Sequence, residues 1–175
     1  MNAFRPLVAG LCLALALPAG AKADFGPPKK KVDCTKPENK NKSACNPKHG
    51  EASDDEIYNA AYWMAREGRY ADALDILKAA HNPEDPRILN ATGFATRKLG
   101  FVDAALPYYQ RALAREPDFV LARAYLGEAY LMKGDLPAAE GQLSEIARRC
   151  GTNCEAYAHL SANIDTYKSK RAGHG

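Results

Sequence analysis

From Asp54 onward the chain repeats itself with a fixed period: Gly93 and Gly127 are 34 residues apart, and so are Gly100 and Gly134, and Ala105 and Ala139. No other feature constrains the fold as strongly. A unit of this length cannot bury its apolar side alone, so successive units must stack and share one continuous core. The clearest unit is PRILNATGFATRKLGFVDAALPYYQRALAREPDF, residues 86–119. Its apolar residues Leu89, Leu99, Leu106, Tyr109 and Leu113 fall at helical spacing. Gly93 and Ala105 are small enough to let two antiparallel helices approach closely. Gly100 stops the first helix, where a left-handed backbone is cheap for glycine alone. Asp103 is placed to cap the second helix, and Pro117 cannot continue it.

Two further units are in register. Residues 120–153 match through Leu126, Gly127, Tyr130, Gly134, Ala139, Leu143 and Ile146. Residues 54–85 match through Ile57, Ala61, Met64, Gly68, Tyr70, Ala73, Leu74 and Leu77. Gly68 and Gly100 are only 32 apart, which predicts a last loop two residues short in the first unit, marked by Pro83 and Pro86. After the third unit, Thr152 and Glu155 have the spacing of a capping box. Tyr157, Leu160, Ile164 and Tyr167 then share one helical face, so residues 154–168 read as a seventh helix covering the stack, with 169–175 as a tail.

On these residues the chain resembles the tetratricopeptide repeat (TPR) family over positions 54 to about 167. The resemblance implies an all-α, right-handed solenoid of three helix pairs and a capping helix. It also implies a concave face lined by the first helix of each pair. The family's groove positions fall on Asp55, Tyr58, Tyr62, Ala65 and Arg66, then on Arg87, Asn90, Phe94, Arg97 and Lys98, then on Leu121, Ala124, Glu128, Leu131 and Met132. The candidate groove residues are thus Tyr58, Tyr62, Arg66, Asn90, Phe94, Arg97, Lys98 and Glu128. Its centre is basic and aromatic, which suits an extended peptide bearing an acidic or carboxylate group. The Lys/Asn/Arg clamp of chaperone-binding TPR proteins is matched only at Asn90, with Asn59 as a second candidate, and Glu128 opposes it, so that function does not carry over.

The N-terminal segment reads differently. Arg5, the apolar run Leu7–Leu17 and AKA at residues 21–23 form a secretory leader, residues 1–23, too short in its apolar part to span a membrane. This predicts an exported protein of the bacterial cell envelope, in the periplasm, with no transmembrane segment once the leader is removed. Residues 24–53 carry seven Lys against four acids and almost no large apolar side chains, so they read as a basic, mobile tail. Removing Cys12 with the leader leaves Cys34, Cys45, Cys150 and Cys154. In an exported chain an even number favours disulfides, and proximity pairs Cys34 with Cys45 and Cys150 with Cys154.

No catalytic constellation stands out: there is no HExxH, Gly-rich phosphate loop, GxSxG elbow or CxxC. The four His (49, 81, 159 and 174) are scattered, with His81 expected at a helix end. The folded part, residues 54–175, has 15 Lys and Arg against 17 Asp and Glu, which argues against a nucleic-acid surface. The expected function is therefore a non-catalytic protein- or peptide-binding scaffold, without cofactor or metal. The alternatives are a thiol-redox or metal-handling protein using Cys150 and Cys154, and a basic tail that tethers the domain to an anionic envelope surface.

Overall fold

The computed structural model describes residues 52–172. The leader, almost all of the basic tail and Cys34 and Cys45 lie outside the described residues. Seven helices and no strand are found among those described: α1 Asp54–Arg66, α2 Tyr70–Leu77, α3 Pro86–Lys98, α4 Val102–Arg115, α5 Val120–Met132, α6 Leu136–Cys150 and α7 Glu155–Ala172. α1, α3 and α5 each pack antiparallel on the even helix that follows, and each pair stacks on the next. The odd helices also touch in series, α1 to α3, α3 to α5 and α5 to α7, and so form the inner face.

The turns within pairs follow from the glycines. Gly68, Gly100 and Gly134 have φ of 79°, 93° and 81°, a region closed to side chains by Cβ sterics. Gly93 and Gly127 serve packing instead. A Cβ on Gly93 would lie 2.9 Å from Tyr109 Cε1, and one on Gly127 would lie 2.5 Å from Leu160 Cδ2. Hence α3 rests directly on α4, and α5 rests directly on α7.

Four local expectations are corrected. The two-residue deficit of the first unit comes out of its helix, not its loop. α2 has 8 residues where α4 has 14 and α6 has 15, and the following loop, 78–85, is longer than its counterpart 116–119. Pro83 and Pro86 disfavour helix before them. The Asp54 carboxylate then captures the loop, accepting from the backbone N–H of His81 at 2.7 Å and of Asn82 at 3.0 Å. His81 is accordingly a loop residue with Nδ1 3.2 Å from Asp54, not a helix end. Asp103 does not cap α4, whose N-cap is Phe101; it pairs instead with Lys133 of the next unit. α7 begins at Glu155 and its first turn closes on the Cys154 carbonyl, so Thr152 does not cap it. The capping box is found at the other end of the fold, where Ser53 and Glu56 cap each other's backbone N–H.

Candidate functional site

The floor of the inner face is aromatic. Tyr70 meets Phe94 with ring centroids 6.1 Å apart, Phe94 meets Tyr125 at 5.1 Å, and Tyr125 meets His159 at 6.4 Å. The rungs come from all three units and the last helix; of these four residues only Tyr125 and His159 stand one 34-residue period apart. Tyr58, Tyr62, Phe94 and Tyr125 are buried.

Arg97 lies in this floor, 4% exposed, with its guanidinium 5.6 Å from the ring centroids of both Phe94 and Tyr125. Its Nε donates to the Tyr109 hydroxyl at 3.2 Å, and Nη2 lies 2.8 Å from Glu128 Oε2. Glu128 is held from its other side by His159 Nδ1 at 3.2 Å and Asn163 Nδ2 at 3.5 Å. Burial works against the arginine's charge, but Tyr109 and Glu128 hold its pKa above the ordinary value. Burial pushes the Tyr109 hydroxyl up to about 12, so it stays protonated at neutral pH. Arg97 therefore joins α3, α4 and α5, and through Glu128 also α7. Its charge is already matched within the chain.

Two other sequence-predicted cations differ. Arg66 is exposed, donates to the Tyr62 hydroxyl at 3.0 Å, and stacks over the rings of Tyr62 and Trp63 at 5.7 and 5.6 Å. Lys98 is exposed, with Nζ 5.6 Å from the Phe94 ring. Both sit at the last turn of a first helix, one unit apart. Trp63 and Met132, 55% and 54% exposed, flank this cationic line. Asn90 is fully buried, and neither of its amide atoms finds a partner among the described residues.

Of the eight predicted groove residues, then, Arg66 and Lys98 face solvent and Glu128 is partly accessible. Tyr58, Tyr62, Asn90, Phe94 and Arg97 form the floor beneath them. Repeat register places a residue on a face, but it does not say how deeply the next helix covers it. Trp63 and the α7 side chains were missed. A cavity of about 300 Å³ opens beside the floor, lined by Arg97, Glu128, Met132, Asn163, Tyr167 and Lys170 among others. The spacing of His159, Asn163, Tyr167 and Lys170, one face of one helix, was the signal that could have found the α7 contribution.

The sulfurs of Cys150 and Cys154 lie at bonding distance, with Cα atoms 5.9 Å apart, where α6 gives way to α7. Among the described residues no group of three or more His, Cys, Asp or Glu is arranged to hold a metal ion. No helix of the described residues is long and apolar enough to cross a membrane.

Comparison with known proteins agrees with this architecture. The family described as Tetratricopeptide repeat matches residues 95–153. The TPR repeat-containing protein PA4667 of Pseudomonas aeruginosa is 40% identical over 65 residues, which is 36% of this chain and 11% of that protein. Among solved structures, the type III secretion translocator chaperone SycD of Yersinia enterocolitica superposes with a TM-score of 0.56 at 23% identity, over 70% of this chain and 90% of that one. PcrH, in complex with the chaperone-binding region of PopD, gives 0.57 at 19% identity, over 67% of this chain and 92% of that one. At such identities the structural likeness speaks to the fold. With three units in register and glycine-ended first helices, the fold is that of a tetratricopeptide-repeat solenoid, and the family match itself spans residues 95–153.

Proposed function

We propose that this protein is a non-catalytic scaffold that holds an extended, acidic segment of a partner protein along its inner face. One observation carries the reading: Arg66 and Lys98 are exposed cations riding on aromatic rings, one repeat apart, above a floor whose own buried charge is already compensated. Such a line offers charge-assisted hydrogen bonds to carboxylates and ring faces to the intervening side chains. The fold neighbours lend support, since SycD was solved with a peptide of the translocator YopD and PcrH with the chaperone-binding region of PopD.

Trp63 is the sole tryptophan and stacks with Arg66, so its fluorescence reports on the site. Titration with an extended acidic peptide should change that fluorescence. Arg66→Ala/Lys98→Ala should weaken binding about tenfold or more, as should a rise from low to high salt. Equal affinity of the double variant and the wild type would sink the proposal. The location follows from the leader-like residues 1–23: we place the working protein outside the inner membrane, with its N-terminus near Asp24. Cell fractionation and an N-terminal mass measurement test this, and an intact Met1 on a cytoplasmic protein would refute it.

A further inference from the structure

The outer face of the first unit carries a feature that the inner-face reading does not use. Because α2 stops at Leu77, a slot of about 410 Å³ opens between α2 and α4 over the side of α3. Its floor includes Ile88, Leu89, Thr92 and Thr96, and its far end is Leu99, which is 39% exposed. The sequence placed Leu99 in the apolar face of its unit; at the C-terminal end of α3 it stays 39% exposed. Along α3 the slot runs from Ile88 to Leu99, about 17 Å at the helical rise.

Three observations point to its occupant. First, the segment preceding Ala52 emerges beside the slot: Asp54 is bonded to the backbone of His81 and Asn82, and the next residue, Pro83, lines the slot. Second, the first unit as a whole is acidic, although the slot's own lining sets Lys78 and Arg111 beside Asp75. Residues 54–85 hold eight carboxylates against three cationic side chains, while residues 86–119 hold three against five. The acidity of the folded part is thus concentrated in the unit that receives the basic segment 24–53, with its seven Lys. Third, the large apolar side chains of that segment are Phe25 and Val32, and they bracket Lys29, Lys30 and Lys31.

We infer that residues 25–32, FGPPKKKV, fold back onto the first unit, seating Phe25 or Val32 in the slot and bringing the lysines to the exposed α2 face, where they compete with Arg69 and Lys78 for Asp72 and Asp75. The connecting stretch, about 20 residues and about half that with Cys34 joined to Cys45, has a flexible-chain span of roughly 16–25 Å, enough to reach the Pro83 end of the slot. A tether of that length gives an effective concentration near the millimolar range, so a weak contact suffices to keep the slot filled. The docked segment covers the slot while leaving the inner face open.

The test is amide NMR on the protein as recovered from cells, its N-terminus read by mass spectrometry. Phe25→Ala/Val32→Ala should shift the amide signals of Thr92, Thr96 and Leu99. Lys29→Glu/Lys30→Glu/Lys31→Glu should shift the same signals in the same direction, and a rise from 0.05 to 0.5 M salt should do so in the wild type, as screening predicts. Both variants leave residues 52–172 untouched, so folding is not at stake. Thr92→Arg, which plugs the slot from its floor, should move the signals of Lys31 and Val32 to random-coil positions. Thr92, Thr96 and Leu99 signals identical in wild type and both tail variants overturn the proposal. Shifts that grow with protein concentration would put a second copy in the slot, and shifts tied to a retained Leu7–Leu17 run would put the leader there; either result also overturns it.

Discussion

Arg97 shows how a residue of the right type at the right repeat position can serve the fold and not the ligand. Its neighbours Arg66 and Lys98 reach solvent, while Arg97 is enclosed by Phe94, Tyr125, Tyr109 and Glu128. Removing one partner of such an enclosed ion pair leaves the other charge buried and uncompensated, which costs about 3–5 kcal/mol. Arg97→Ala should therefore lower the unfolding free energy by about that amount in urea titration. Arg97→Met/Glu128→Gln, which removes both charges, should lose markedly less. Tyr109 adds a pH signature. Its hydroxyl ionises only near pH 12 in the fold, against about 10 in an unfolded chain, so the unfolded state releases this proton first. The stabilisation from Tyr109 is thus complete below pH 10 and is lost as pH rises through 12. Equilibrium unfolding from pH 8 to 12 should show that decline, shallower in Tyr109→Phe. At this scale the sequence was legible as to face and illegible as to depth. The repeat register, 32 residues from the first unit to the second, gave Tyr62, Phe94 and Arg97 a common side. Only the close approach of α5 and α7 determines which side chains remain wet.

Among the elements, α2 and α7 depart most from the repeat. α2 is cut short because two prolines and the Asp54 carboxylate organise the following loop. The sequence showed the deficit as a change of period, but a period cannot say whether a helix or a loop absorbs it. α7 occupies the position of a fourth first helix, and the absent side chain of Gly127 lets it rest on α5. Gly127→Ala would force the Leu160 side chain aside, at a cost of about 1–3 kcal/mol from overpacking; thermal unfolding measures it. Leu160→Ala should then be partly restored by Gly127→Ala, the added methyl filling some of the vacated space, and the double-mutant cycle checks this. Cys150 and Cys154 flank the α6–α7 turn. In protein isolated from an oxidising compartment, alkylation and mass measurement should find both blocked before reduction. Two free thiols would make the turn an open one.

For the whole molecule, the repeat makes stability a matter of neighbours, since each pair contacts mainly the next. α7 breaks that rule by reaching the inner-face network as well as the end of the stack, through His159 and Asn163 on Glu128. Ending the chain at Gly151 should therefore do more than fray one end: it bares Gly127 and the Ala124 side of α5 and leaves Glu128 with Arg97 alone. The expected result is a lower urea midpoint with a reduced m-value, because less surface is buried to begin with. The solenoid itself was readable in advance, since three units in register specify helix pairs without reference to any single contact. The uneven charge, acidic in the first unit and basic in the second, was also present in the sequence, but it gained meaning only once the slot and the emerging chain were seen to be neighbours.

The grip of Asp54 on His81 and Asn82 has a mechanical side. Suppose the chain before residue 52 is fastened to something and pulled. Tension then enters the fold at Ser53 and Asp54, and those two N–H bonds pass part of it straight to the far end of the first helix pair. α1 is not free to peel away first. The first unit resists as a buckle would, with both helices loaded together for as long as the Asp54 bonds hold. A share also passes to the second unit, because Asp55, the next residue, pairs with Arg87 of α3 at 2.7 Å.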